Sequence, residues 1–169
     1  MARGADEPMS PERTREIARE IALRRLTIRP HSRAELAAAM AKKLVPQDAI
    51  DDVLERFGEV GLIDDEQFAE AWVRSRHTNK LLSKRALRLE LRNKGVDAEV
   101  IEASLEGVSH DDELAAATAL AEKKMRSLGD VERQVAYRRI AGVLGRRGYG
   151  PGIIREVLST VLDADLPLD

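Results

Sequence analysis

Apolar residues recur at spacings of three and four along nearly the whole chain, and no sustained apolar–polar alternation replaces them. That period belongs to helices rather than strands. The positions between are filled mainly by Ala, Glu, Arg and Lys, all strong helix formers. No two-residue hairpin signal occurs. Prolines at 8, 11, 30, 46, 151 and 167 fall mostly where the apolar period breaks, and so read as boundaries. The pattern predicts a first helix over about 12–28, with Ile17, Ile21 and Leu26 on its apolar side. Ser32, with Glu35 three residues on, predicts a capped second helix ending near Lys43. Pro46 opens a third, and Asp64 or Asp65 caps a fourth over about 65–77. Ser83 caps a fifth that stops at Gly95, and Asp97 a sixth. A seventh runs from SHDDE at 109–113 to Leu128, an eighth stops at Gly148, and Pro151 opens a ninth.

The nine predicted helices repeat in threes. A shift of 51 places Ser32 on Ser83, Leu36 on Leu87, Met40 on Leu91, Lys43 on Lys94, Val45 on Val96, Ile50 on Ile101 and Leu54 on Leu105. A further shift of 53 places Leu87 on Ile140, Leu91 on Leu144, Lys94 on Arg147, Gly95 on Gly148, Val96 on Tyr149, Ile101 on Ile154 and Leu105 on Leu158. Cap, core, base and glycine keep one register, the mark of a repeat architecture. The expected organisation is all-α. A flexible tail occupies 1–13, three-helix repeats occupy 14–64, 65–107 and 108–162, and a second tail occupies 163–169. Modules of this size bury little apolar surface alone, so an elongated, curved arrangement in tandem is expected. Gly95 and Gly148 end helices in the left-handed conformation that glycine adopts at least cost. Leu44 replaces that glycine in the first unit, which predicts a different turn there.

Charge sharpens the picture. The net formal charge is only −2, but it is banded. Residues 74–94 hold eight bases and one acid, 97–113 seven acids and no base. Residues 46–70 hold nine acids and one base, 122–147 eight bases and three acids. On a helical projection Lys84, Arg85, Arg88 and Arg92 fall within one arc of roughly 100°, beside Leu87 and Leu91. Arg138, Arg139 and Arg146 cluster likewise. Such stripes are either solvated faces paired with neighbouring acids or rows of phosphate or carboxylate contacts. Lys94 and Arg147 are equivalent bases at helix ends, where the dipole alone favours a cation; they are weaker contact candidates.

Aromatic residues make up only 3% of the chain, too few for a base-stacking surface. Trp72 is expected as a core anchor, or else as a partner hot spot. Cysteine is absent, which removes disulfides, thiol nucleophiles and thiolate metal sites. His31, His77 and His110 lack ligand spacing, so no metal or other cofactor is expected. Ser109, His110 and Asp111 hold the residue types of a hydrolase triad, but three consecutive residues cannot reach that geometry. GYGPG at 148–152 follows no strand and precedes no GK[ST], so it reads as a turn. The longest apolar run, AAATALA, is too short to span a bilayer.

HSRAEL at 31–36, GLIDDEQFAEAWV at 61–73, LRLELRNKGV at 87–96 and LGRRGYGPGIIREVL at 144–158 together give the chain its resemblance to the RecX family. With the repeat register they cover about 14–162. The resemblance implies a cytoplasmic, non-enzymatic regulator in DNA repair, recombination and the SOS response. It implies binding in the groove of the RecA–DNA filament and inhibition of RecA ATPase and strand exchange. Single- or double-stranded DNA is a further possible contact, and a monomer is expected. The alternative is a direct DNA-binding protein built from helix-turn-helix-like modules.

Overall fold

A computed structural model describes residues 9–163 of the chain. The elements are α1 (Pro11–Ile28), α2 (Arg33–Lys42), α3 (Gln47–Glu59), α4 (Asp65–Lys80), α5 (Lys84–Asn93), α6 (Ala98–Leu105), α7 (His110–Leu128), α8 (Arg133–Arg146) and α9 (Pro151–Asp163). Among the described residues there is no strand. Of the expected tails, 1–8 and 164–169 lie outside the described residues. Residues 11–13 already form the first turn of α1, whose Arg13 N–H is capped by the Ser10 hydroxyl at 3.2 Å.

The caps follow from local chemistry. Ser32 Oγ accepts from the Glu35 N–H at 3.1 Å while the Glu35 carboxylate accepts from the Ser32 N–H at 3.1 Å, the reciprocal box expected there. Asp64, not Asp65, accepts from the first turn of α4, from Glu66 N–H at 3.0 Å and Gln67 N–H at 3.1 Å. Ser83 Oγ accepts from Ala86 N–H at 3.1 Å. At α7, Ser109 and Asp112 form another reciprocal box, which gives Ser109 of the SHD segment the role of a helix cap.

The described chain separates into two compact units. One comprises the chain up to Phe68 together with Asn93–Asp97; the other comprises Ala69–Arg92 and the chain from Ala98 onward. The first unit packs α1, α2 and α3 around Leu36, Met40, Ile50, Val53, Leu54 and Phe57. The stripe that α1 buries differs from the expected one. Thr14, Ala18 and Ala22 are buried, while Ile17, Ile21 and Leu26 lie half-buried beside them. In the second unit, Ile140, Leu144, Val157 and Leu158 close the core of α7, α8 and α9. Leu87, Leu91, Ile101 and Leu105 are also fully buried. Each such side chain contributes about 1.5–3 kcal/mol by leaving water. The in-register apolar positions are therefore core, with Ile154 only half-buried.

The turns that follow the second helix of each module all place a left-handed residue at the same point, and the first and third share their hydrogen bonds. Leu44 has a φ of 60°, Gly95 of 72° and Gly148 of 90°. In the first, Lys43 and Val45 N–H both donate to Met40 O and Leu44 N–H to Ala41 O. In the third, Arg147 and Tyr149 N–H both donate to Leu144 O and Gly148 N–H to Gly145 O. The expectation of a different turn at Leu44 thus fails for the backbone. The difference lies in what surrounds it. A β-carbon at Gly95 would collide with Ala34 Cβ, and one at Gly148 with Ser83 Oγ and, at 2.8 Å, with Ala86 Cβ. Leu44 is 89% exposed.

Candidate functional site

The third module carries a cationic groove. Arg138, Arg139 and Arg146 from α8 and Lys124 from α7 line a depression of about 530 Å³, with Val135 and Gly142. One helical turn separates Arg139 from Val143 and two separate it from Arg146, so α8 turns this face outward while Ala136, Ile140 and Leu144 face the core. Gly142 leaves room for the Arg146 guanidinium, whose Nη1 would stand 3.2 Å from a β-carbon placed there. No carboxylate lines the groove, and none of the four cations has an ion-pair partner among the described residues. Four like charges held together repel one another, and an anion would relieve that repulsion. Sequence reasoning found the three arginines but not Lys124. The signal for Lys124 was its place in the same basic band.

The α5 face is different. Arg85 and Arg92 are exposed. Arg88, however, grips Glu102 of α6 with two hydrogen bonds, Nε at 2.6 Å and Nη2 at 3.0 Å. Those bonds, with the charges of Arg88, Arg92 and Lys84, hold the Glu102 carboxyl below the usual range. Lys84 donates its backbone N–H to Glu113 of α7 at 2.9 Å. The stripe is thus partly compensated by acids from the neighbouring helices.

Lys94 and Arg147, the equivalent bases before the glycines, are engaged inside their units. Lys94 Nζ pairs with Glu35 at 2.8 Å, and its carbonyl accepts from Ser32 Oγ at 2.5 Å. Arg147 Nη1 donates to Lys80 O, and the Arg147 carbonyl accepts from Ser83 N–H at 3.1 Å. Tyr149 adds a bond from its hydroxyl to Leu81 O at 2.7 Å. Burial, reinforced by the charge of Glu113, pushes that phenol up to about 12.

Trp72 is half-buried. Its Nε1 donates to Glu90 at 2.8 Å, and the Arg76 guanidinium lies 4.3 Å from the ring centre. Those polar contacts hold the indole in the second unit, at the margin of the core rather than inside it. Ser109 Oγ bonds Asp112 at 2.8 Å and His110 Nε2 lies 3.9 Å from Glu156, so the serine and histidine of the SHD segment turn to separate partners. No helix is long and apolar enough to cross a membrane among the described residues.

Three family models match the chain in order. They are RecX, first three-helix domain, over 18–57; second three-helix domain, over 64–105; and third three-helix domain, over 111–158. The regulatory protein RecX of Thermobifida fusca is 41% identical over 156 residues, covering 92% of this chain and 84% of its own. That of Mycolicibacterium vanbaalenii is 47% identical over 154 residues, covering 87% and 83%. A crystal structure of RecX from Lactobacillus salivarius shares the fold at a TM-score of 0.78 and 21% identity, covering 90% of this chain and 99% of that one. Matched in all three modules and along most of its length, the chain belongs to the RecX family.

Proposed function

We propose that this chain binds the filament that RecA forms on DNA, and by binding lowers RecA ATPase and strand exchange, as a cytoplasmic monomer without catalysis of its own. Membership of a family of regulatory proteins supports a binding role. The observation that carries the site is the groove of Lys124, Arg138, Arg139 and Arg146, four cations with no acid in its lining. A filament groove offers phosphates and protein carboxylates, either of which would complete it. Arg85 and Arg92 on α5 are secondary contacts. Lys84 is next, while Arg88, Lys94 and Arg147 serve first inside their units.

The test measures ATP hydrolysis by RecA from the same organism on single-stranded DNA as this protein is added. Hydrolysis is expected to fall, and a triple change of Arg138, Arg139 and Arg146 to Glu is expected to relieve the inhibition without changing helicity. Unaltered hydrolysis across micromolar protein would overturn the reading. The same groove also suits naked DNA, the helix-turn-helix alternative. Tight binding to naked DNA with no preference for filaments would favour that alternative.

A further inference from the structure

We infer that Leu44 closes the turn between α2 and α3 against docking, so that neither a further module nor a second copy of this chain adds there. The other two turns show what docking requires. Ser32 heads α2 and bonds Lys94 O, while Ala34 packs against Gly95 so closely that no β-carbon fits. Ser83 heads α5 and donates its N–H to Arg147 O, while Ser83 Oγ and Ala86 crowd Gly148 in the same way. In each case a serine-capped helix start sits on a glycine turn, and the neighbouring N–H is met by an acid. Arg33 N–H reaches Asp65 at 2.8 Å, and Lys84 N–H reaches Glu113 at 2.9 Å.

The α2–α3 turn has a left-handed residue at the same place as both and the hydrogen bonds of the Gly148 turn, hence the same seat in its backbone. Leu44 puts a β-carbon and an isobutyl group where the seat must stay bare. A left-handed non-glycine residue costs about 1–2 kcal/mol, which a glycine would spare. The strain is kept at a position where the side chain contacts almost nothing, being 89% exposed. Its effect is exclusion. The counterpart of the docking helix is also altered at the other end of the repeat. The position aligned with Ser32 and Ser83 is Ala136, buried within α8, and Glu132, which precedes α8, makes no side-chain cap bond. A second copy therefore finds neither a bare seat nor a serine-capped start to fill one.

The test has two arms. In the full chain, Gly148→Leu carries the Leu44 arrangement into the third module. Gly61→Leu is its control, because Gly61 has a φ of 74° but nothing within 4 Å of a β-carbon, which gives strain without collision. Hydrogen exchange at the Ser83 amide reports the joint. Protection there is expected to fall about tenfold or more in Gly148→Leu and to hold in Gly61→Leu. Gly148→Ala, which meets the same atoms, carries this arm if the leucine variant does not fold. In the second arm a copy of residues 65–107 is joined ahead of Pro11. The amide of its added serine is expected to be protected about tenfold more with Leu44→Gly than with Leu44 retained. Equal exchange of the added serine in the two backgrounds overturns the inference, as does an unchanged Ser83 in both Gly148 variants.

Discussion

Glu35 accepts hydrogen bonds from the Arg29 guanidinium at 3.0 and 3.2 Å, from Lys94 Nζ at 2.8 Å and from Ser32 N–H at 3.1 Å. Burial pushes its carboxyl up, but these donors and the Arg29 charge outweigh burial and hold it at about 2, below the ordinary 4.5. A depressed carboxylate stabilises the fold at pH values above its unfolded value and loses that contribution as pH falls through the folded one. Glu35→Gln is therefore expected to cost about 2 kcal/mol at neutral pH, with the gap to the parent closing between about pH 5 and pH 2, in urea titrations at each pH. Asp65 has the opposite sign. Burial and the charges of Asp97 and Asp64 raise it, against the Arg33 N–H that lowers it. Its ionised form opposes folding, so Asp65→Asn is expected to raise the urea midpoint at pH 7 and to lose that advantage in acid. The glycines give a third expectation at this scale. Gly95→Ala meets Ala34 in a left-handed turn and should cost more than about 2 kcal/mol. Leu44→Gly meets nothing, and its relief of strain is offset by greater freedom of the unfolded chain, so a shift under about 1 kcal/mol is expected.

Among the helices, what the sequence made legible was local. Ser-x-x-Glu at 32–35, proline at 151 and glycine at 95 and 148 act within a turn, and all mark helix ends as expected. The in-register leucines and isoleucines were legible because burial imposes their period. Two features were not. The buried face of α1 runs through Thr14, Ala18 and Ala22, because small side chains can be buried where helices meet closely, and a search for large apolar residues points one position aside. The compensation of the α5 stripe is non-local: Arg88 and Glu102 are 14 residues apart, on different helices. Charge bands show that acids follow bases, but they do not show which guanidinium an acid will hold. The same limit hid the uses of Lys94 and Arg147, whose partners lie 59 and 67 residues away. The Arg88–Glu102 pair is bidentate but partly exposed, so Arg88→Ala should lower the melting temperature only slightly. Arg85→Glu with Arg92→Glu should leave melting within about 0.5 kcal/mol, because both side chains stand in water.

At the scale of the molecule, the near-zero net charge hides the asymmetry that matters for binding. A net charge of −2 gives no general attraction to a polyanion, so any affinity for DNA must come from a local array of cations. The α8 groove is such an array, and α5 is a weaker one because Glu102 and Glu113 already claim part of it. If phosphates fill the groove, each cation that neutralises one releases a counterion and adds about 0.7–0.9 to the slope of log affinity against log salt. Removing Arg138, Arg139 and Arg146 by substitution with Ala should therefore reduce that slope by about 2–3 for DNA-bound filaments. The Arg85→Ala and Arg92→Ala pair should reduce it by less than about 2, even if both contribute. Titrations of filament binding at several salt concentrations, read by the anisotropy of a labelled protein, check both numbers. A lost affinity with an unchanged slope would point instead to protein carboxylates as the groove's partner, because a compact acidic side chain carries no condensed counterions to release. The slope, more than the affinity, thus decides whether α8 faces the nucleic acid or the recombinase within the filament.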